Sequence, residues 1–402
     1  VAELLPVEVA LARVLARVRP LPAETVELAA ATGRVLADDA LAEIDLPRFA
    51  SSAMDGFALR AEDTPGTLPV VERIAAGRPA ARALAAGEAM AISTGGVVPE
   101  GADAVVPIER VRDEGAVVAV PEPVAAGSHV RPRGGDVCAG DLVLGAGLSL
   151  TPSRLAALAS AGVGRVRCAR RPTTAIVTTG TELRPPGEEL DEGEIYDSNG
   201  LMLAALVAGA GALVAGPVHV ADDAAAHEHA LAQGFEADVL VTSGGVSVGP
   251  HDLVRETLAR LGANEVFWGV AMRPGKPIAF SVRGDTLVFG LPGNPVSSLV
   301  GATLFLLPAI RALQGLARPE PAFRTGVLAD GVARRASRDD FQRARIERSG
   351  DQVVLRPLEG QESHMIARAA AADALVHVPR GAGELSAGAP VRYLLLDPSV
   401  ET

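Results

Sequence analysis

Apolar residues recur at helical spacing at Val7, Leu11, Val14, Leu15 and Val18, which predicts a helix over Val7–Val18. From Pro47 to Gly147 the texture changes to short apolar pairs broken by Gly, Pro and Asp. No helix-length period survives there, so the stretch reads as a small β-rich domain. Thr151-Pro152 then opens a second helix, threonine at N-cap and proline at N1, ending near Gly162. The order helix, β module, helix predicts a β-rich domain inserted into a helical one.

From Arg171 to Gly315 the pattern alternates. Strands are expected at Ala175–Thr178, Leu213–Ala215, Val239–Thr242, Ile278–Val282 and Thr286–Phe289. Helices are expected from Asp197 or Ser198 to Val207, Asp222 to Gln233, Pro250 to Leu261 and Pro295 to Leu313. Such βαβ alternation implies a mostly parallel sheet covered on both faces, with ligands beyond the carboxyl ends of its strands. After Pro319, Phe341–Arg348 and Val353–Pro357 flank the turn Ser349-Gly350-Asp351. Leu375–Val378 and Val391–Leu396 add strands, so the chain closes in a small β domain. The expected fold is multidomain α/β and β: a helical dimerisation domain (1–46 and 148–170), an inserted β-rich domain (47–147), a central α/β domain (171–317) and a C-terminal β domain (318–402).

A length of 402 residues agrees with several domains. The formal charge of −12 argues against general affinity for nucleic acid or an anionic membrane. Glycine (43) and proline (29) are abundant enough to predict many turns, while 48% apolar residues still supply real cores. Cys138 and Cys168 stand apart with no CxxC, which excludes a zinc ribbon or disulfide framework and fits a reducing cytoplasm. The longest apolar run, Leu299 to Leu307, is too short to span a bilayer, and charge appears by Glu3, so no signal peptide is expected.

Three glycine-rich loops follow short apolar runs: TTAIVTTGTEL (Thr173–Leu183), ADVLVTSGGVSVGPHD (Ala237–Asp252) and TLVFGLPGNPVSS (Thr286–Ser298). Strand ends that run through bare backbone into helices present unpaired N–H groups, a cradle for an anionic and phosphorylated ligand. MRPGKP (Met272–Pro277) lies between the last two loops and holds Lys276, the chain's only lysine. Two prolines stiffen that cationic turn; its plain alternative is a surface turn. Gly269 and Gly275-Lys276 imitate a Walker A end, but five residues separate the glycines and Pro277 replaces the hydroxyl, so a P-loop fails. Gly245-x-Ser247-x-Gly249 matches a serine-hydrolase elbow, with His251, His364 and His377 downstream as bases. Ser243-Gly244 separate it from the strand, which favours an anion loop instead. Asn294 and Pro295 fit N-cap and N1, both as a plain helix start and as a ligand-facing one.

Asp55, Glu182, Asp197, Asp222 and Asp252 lie in or near turns. Each serves as a solvated residue or cap, or as a partner of a hard cation that screens it from a phosphate. His227 and His229, two apart on a helix, point away from each other and form no metal site. Gly209-Ala210-Gly211 lacks the third glycine of a dinucleotide fingerprint and reads as a helix end.

These motifs, with SSAMDGFALR (Ser51–Arg60), STGGVVPEGADAVVPIE (Ser93–Glu109), RPRGGD (Arg131–Asp136) and IYDSN (Ile195–Asn199), resemble those of the molybdopterin molybdenumtransferases. This is the MoeA family, to which the E domain of gephyrin also belongs. The resemblance is co-linear over nearly the whole chain. It implies four domains and a homodimer whose site joins the β-rich insert of one subunit to the α/β domain of the other. It further implies adenylylated molybdopterin and molybdate as substrates, Mg²⁺ as cofactor, and molybdenum insertion with release of AMP. Exchange with the molybdopterin adenylyltransferase and with cofactor-accepting enzymes is implied as well.

By position, the resemblance assigns Asp55, Thr94, Asp136, Glu182, Asp222 and Asp252 to catalysis, with Glu182 and Asp252 on the Mg²⁺ side. It assigns Gly180, Thr181, Ser198, Ser243, Gly244, Gly245, Ser247, Pro292, Gly293, Asn294 and Pro295 to substrate binding. Arg273, Lys276, Ser297, Arg343 and Ser363 would contact molybdate. Gly269 and Arg273 stand where some members carry lysine; arginine keeps the charge but presents a planar fork. The rivals are adenylylation of molybdopterin, a receptor-clustering scaffold of the gephyrin type, and a serine hydrolase. The added modules and the PGNP and PGKP loops favour insertion over adenylylation, and the intact site motifs favour catalysis over a scaffold.

Overall fold

A computed structural model describes residues 4–221, 223–245 and 253–396. Asp222, Ser247 and Asp252, together with His251, lie outside the described residues. The chain divides into two compact units, one of residues 1–24, 33–37 and 168–402, the other of residues 25–32 and 38–167. The segments 1–46 and 148–170, expected together, are thus shared between the units.

The larger unit is built on a six-stranded sheet in the order Leu213–Val220, Thr173–Thr179, Val239–Ser243, Thr286–Leu291, Ala279–Arg283, Asn264–Trp268. The first four strands run parallel and the last two are antiparallel to their neighbours. Asn264–Trp268 is not among the expected strands, and Leu213–Val220 continues through Pro217 beyond the expected three residues.

Side chains alternate across the sheet, and the alternation decides which helices cover which face. Ile176, Val239, Val241, Leu287 and Phe289 meet Leu203 and Val207 of Ser198–Gly209 and Val300, Leu304 and Phe305 of Pro295–Leu313. Val177, Leu240 and Val288 meet Ala230 and Leu231 of Ala224–Gly234 and Val254 and Leu258 of Leu253–Arg260. Each fully buried Phe or Leu contributes about 1.5–3 kcal/mol. The N-cap of Ala224–Gly234 is Asp223, whose carboxylate accepts from the Ala226 N–H. The first helix, Val7–Leu15, buries Ala10 and Val14 in the first of these cores.

Pro295–Leu313 has the length and apolarity of a membrane span, yet 78% of its most apolar window is buried inside the protein. It is a core helix. Pro308 has no N–H for the Leu304 carbonyl and would crowd it, and a π-helical turn over Ala302–Leu306 absorbs the conflict.

The last strands close on themselves in the order Asp339–Ser349, Gln352–Pro357, Arg324–Leu328, Pro390–Leu395, Ala374–Val378, the first and last also pairing. Leu355, Val376 and Tyr393 fill this small barrel. Met272–Arg273 adds to it, pairing in parallel with Asp339 and Asp340.

In the other unit, a mixed sheet runs Ala104–Pro107, Gly56–Leu59, Ala89–Ile92, Gly66–Ile74, Val117–Val120, Arg112–Asp113. Both of its faces are apolar: Phe57, Leu59 and Ala91 join one cluster, Ala58, Met90 and Ile92 another. The unit also holds Pro152–Ser160, which starts after Thr151 as the sequence predicts.

Candidate active site

Beyond the carboxyl ends of Thr173–Thr179, Val239–Ser243 and Thr286–Leu291 lies a cavity of ≈ 570 Å³, a size usual for small-molecule sites. Thr178, Thr179 and Glu182 line it from the first strand end, Ser243 from the second, and Gly293, Asn294 and Pro295 from the third. Ile195 to Asn199 form a further wall, and His364 and Ile366 reach in from the loop before the strand Ala374–Val378.

Four expected glycines have geometric work. Gly244 and Gly245 have φ of +98° and +64°. A Cβ on Gly244 would lie 2.6 Å from the Thr179 hydroxyl, and one on Gly245 would lie 2.4 Å from the Val254 side chain. No other residue fits there. A Cβ on Gly293 would lie 3.7 Å from the Gly244 Cα, so the second and third loops touch through bare backbone. Gly180 leaves room for the Glu182 carboxylate, which a Cβ would meet at 2.5 Å.

Polar contacts lock the strand ends together. The Asn199 side-chain amide donates to the Ser243 hydroxyl at 2.8 Å and to the Gly293 carbonyl at 2.7 Å. The Ser243 hydroxyl also reaches the Pro292 carbonyl at 3.4 Å. Asp197 accepts from the Thr178 hydroxyl at 2.7 Å and caps its helix through the Gly200 N–H at 2.9 Å. Its carboxylate is therefore occupied, whereas Glu182 is exposed at the rim.

Of the residues expected to contact molybdate, Ser297 lies in the first turn of Pro295–Leu313, with the Lys276 loop and Ser363 against it. Ser297 is buried there, and its carbonyl would lie 3.5 Å from a Cβ on Gly275, which places the Met272–Pro277 loop against it. The Ser363 carbonyl accepts the Val296 N–H at 3.0 Å, and the Asn294 carbonyl accepts that of Ser298. Two first-turn N–H groups are thus spent within the protein, and Asn294 makes no side-chain cap. Lys276 is half-buried in the loop. Arg273 lies 3.9 Å from Asp340, which also lies 3.6 Å from Arg335. Burial pushes the Asp340 carboxyl above its ordinary value, against the pull of Arg335.

Arg343 departs from the expectation of an oxyanion contact. Its side chain is buried, and it donates to the carbonyls of Met365 and Gly360 at 2.6 Å and of Glu362 at 3.3 Å. Burial pushes its pKa down. Both terminal nitrogens are used in holding the loop that carries Ser363 and His364.

Asp55 and Thr94 meet in the other unit. The Thr94 N–H donates to the Asp55 carboxylate at 2.7 Å, and Asp55 borders a separate cavity of ≈ 270 Å³ with Arg73 and Asp113. Asp136 is exposed in that unit, its N–H bound to the Leu46 carbonyl. Thr181 is exposed beside Glu182. Sequence reasoning overlooked Asn199 and Thr178 as site residues, and weighed His364 only as a base for a serine hydrolase. The start of a helix directly after Ile195–Tyr196 was the available signal for Asn199; nothing local marks Thr178, or His364 for this site.

Among the described residues no three His, Cys, Asp or Glu side chains form a metal cluster. Mg²⁺ asks for less: it retains water and is held by one or two carboxylates with substrate phosphates. The free Glu182 carboxylate beside the glycine loops fits that donor set.

A glycine-looped parallel sheet, joined to a closed five-stranded barrel, defines the class as a multidomain α/β protein with a small-molecule site at its strand ends. Family models match in order: the MoeA N-terminal region (domain I and II) over residues 5–162, a probable molybdopterin binding domain over 175–312, and the MoeA C-terminal region (domain IV) over 325–396. The chain is 37% identical over 377 residues to molybdopterin molybdenumtransferase 2 of Mycobacterium tuberculosis, covering 90% of this chain and 93% of that one. It is 34% identical to the Haemophilus influenzae molybdopterin molybdenumtransferase over 92% of this chain and 94% of the relative. The molybdopterin biosynthesis MoeA protein of Pyrococcus horikoshii matches in structure with a TM-score of 0.83 and 31% identity, over 98% of this chain and 100% of that one. The chain belongs to the molybdopterin molybdenumtransferase (MoeA) family.

Proposed function

We propose that this chain is a molybdopterin molybdenumtransferase that takes adenylylated molybdopterin and molybdate, inserts molybdenum at the dithiolene and releases AMP. The reading is supported most by one observation: Asn199 pins Ser243 and Gly293 into one wall of the cavity at the parallel strand ends, with the Gly244 backbone packed against Gly293. Backbone brought that close leaves space for a phosphate-bearing ligand. Ser198, Ser243 and the glycine loops position it. The Lys276 and Ser297 corner receives the oxyanion, with Arg273 held nearby by Asp340. Glu182, with Asp252, would hold Mg²⁺, which when bound neutralises phosphate charge. Since orientation and charge stabilisation carry such a reaction, no nucleophilic side chain is required.

In this reading the enzyme is a homodimer, and the Asp55–Thr94 corner and Asp136 act on the ligand held by the partner subunit. Turnover in the cytoplasm, between the adenylyltransferase and cofactor-accepting enzymes, completes the proposal.

The test is AMP release from adenylylated molybdopterin with and without molybdate. Molybdate-dependent release that Glu182→Ala abolishes is expected; intact substrate with the wild-type protein would sink the reading. Mixing Asp55→Ala with Glu182→Ala protein tests the subunit assignment, because shared sites regain activity and self-contained sites do not.

A further inference from the structure

The cavity wall is poor in positive charge. Among the described residues that line it, His364 has the only side chain able to carry a positive charge, while Glu182 and Asp197 are acids. The other donors in the wall, the backbone N–H groups and the hydroxyls of residues such as Ser198 and Ser243, are neutral, and a donor able to carry positive charge binds an anion more strongly. His364 sits on a loop whose backbone is held from three sides. Arg343 grips the carbonyls of Gly360, Glu362 and Met365. The Gln361 side chain brackets Arg343, accepting its N–H at 3.0 Å and donating to its carbonyl at 2.8 Å. The Val296 N–H takes the Ser363 carbonyl.

Burying a guanidinium to hold a loop carries a desolvation cost. What this loop delivers to the cavity is His364 and Ile366. We propose that His364 is a substrate-binding residue whose imidazole donates a hydrogen bond to the phosphate-bearing part of the ligand, with Arg343 as its positioning residue. An imidazole donates through one nitrogen when neutral and through both when protonated. The inference rests on the molybdenumtransferase reading for the identity of the ligand, and only for that.

The experiment is calorimetric titration of AMP and of adenylylated molybdopterin into wild type, His364→Ala and His364→Lys. His364 is exposed, so both variants are expected to fold as the wild type does. Losing a hydrogen bond to a charged group predicts about tenfold weaker binding of both ligands by His364→Ala. His364→Lys, which restores a cationic donor, is expected to recover most of it. Equal affinities in wild type and His364→Ala would overturn the proposal and leave the enzyme assignment intact. His364-dependent binding of AMP, with no binding of adenylylated molybdopterin by the wild type, would keep the anion contact and remove the substrate reading.

Discussion

The side-chain amide of Asn199 donates to the carbonyl of Gly293 across 94 residues of chain, at 2.7 Å. The same nitrogen reaches the Ser243 hydroxyl, so one buried amide joins the start of a helix to the ends of two strands. Removing it leaves a hydroxyl and a carbonyl without their partner, at a cost of about 1–3 kcal/mol. Asn199→Ala is therefore expected to lower the urea midpoint and to reduce kcat/KM by roughly tenfold or more, because the glycine loops lose their mutual register. Asn199→Asp keeps the shape but turns an oxygen toward the Gly293 carbonyl, and is expected to be worse than alanine. If Asn199→Asp matches the wild type in both measurements, the amide does not organise the loops.

The central sheet was legible because Val239–Val241 and Leu287–Phe289 are continuous apolar runs that lead toward glycine, and buried parallel strands read that way. The helix starts after Thr151, Asp197 and Asn294 were legible as well. Asp197 caps as expected, since an Asx side chain before a helix has a local task. What could not be read is whatever depends on distant partners. Arg343 looks in sequence like a free cation for an oxyanion, but three carbonyls some twenty residues away consume it. The capping aspartate shifted from 222 to 223 because two adjacent acids offer the same local chemistry. Asn199 was inside a quoted motif, yet its importance comes from Ser243 and Gly293, which spacing along the chain does not bring together.

Asp238 makes the acid limb of stability predictable. Burial opposes its charge, but hydrogen bonds from the Arg170 side chain and from the backbone and hydroxyl of Thr173 outweigh that, and its pKa falls below 3.8. Arg170 contacts it at 2.7 and 2.5 Å, and Thr173 at 2.8 and 2.9 Å. A depressed carboxyl pKa stabilises the fold fully above the unfolded value and progressively less as pH falls through the folded one. Arg170 is 40% exposed, so the ion pair itself is discounted for solvent. Asp238→Asn is expected to cost about 1–2 kcal/mol at neutral pH. The difference from wild type should shrink below pH 3.8, as followed by urea unfolding at several pH values. A difference that stays constant down to the folded pKa would exclude the charged form as the source.

Arg343 offers the sharpest separation of fold from site. Its guanidinium is the common donor for three carbonyls of one loop, so its removal strands several acceptors in a buried place at once. Arg343→Met keeps the bulk and loses the donors, and about 3 kcal/mol of stability should go with them. Arg343→Lys retains charge and can satisfy some of the carbonyls, but a point ammonium cannot fork between Met365 and Gly360 as the planar group does. It is expected to recover part of the stability and less of the ligand affinity, because His364 depends on where the loop is held. Hydrogen exchange reads this directly: in Arg343→Met the amides of residues 358–366 should lose protection before those of the strand Ala374–Val378. Unchanged protection over 358–366 would mean that the loop is held by Gln361 and Val296 alone, and that the buried arginine serves the barrel core instead.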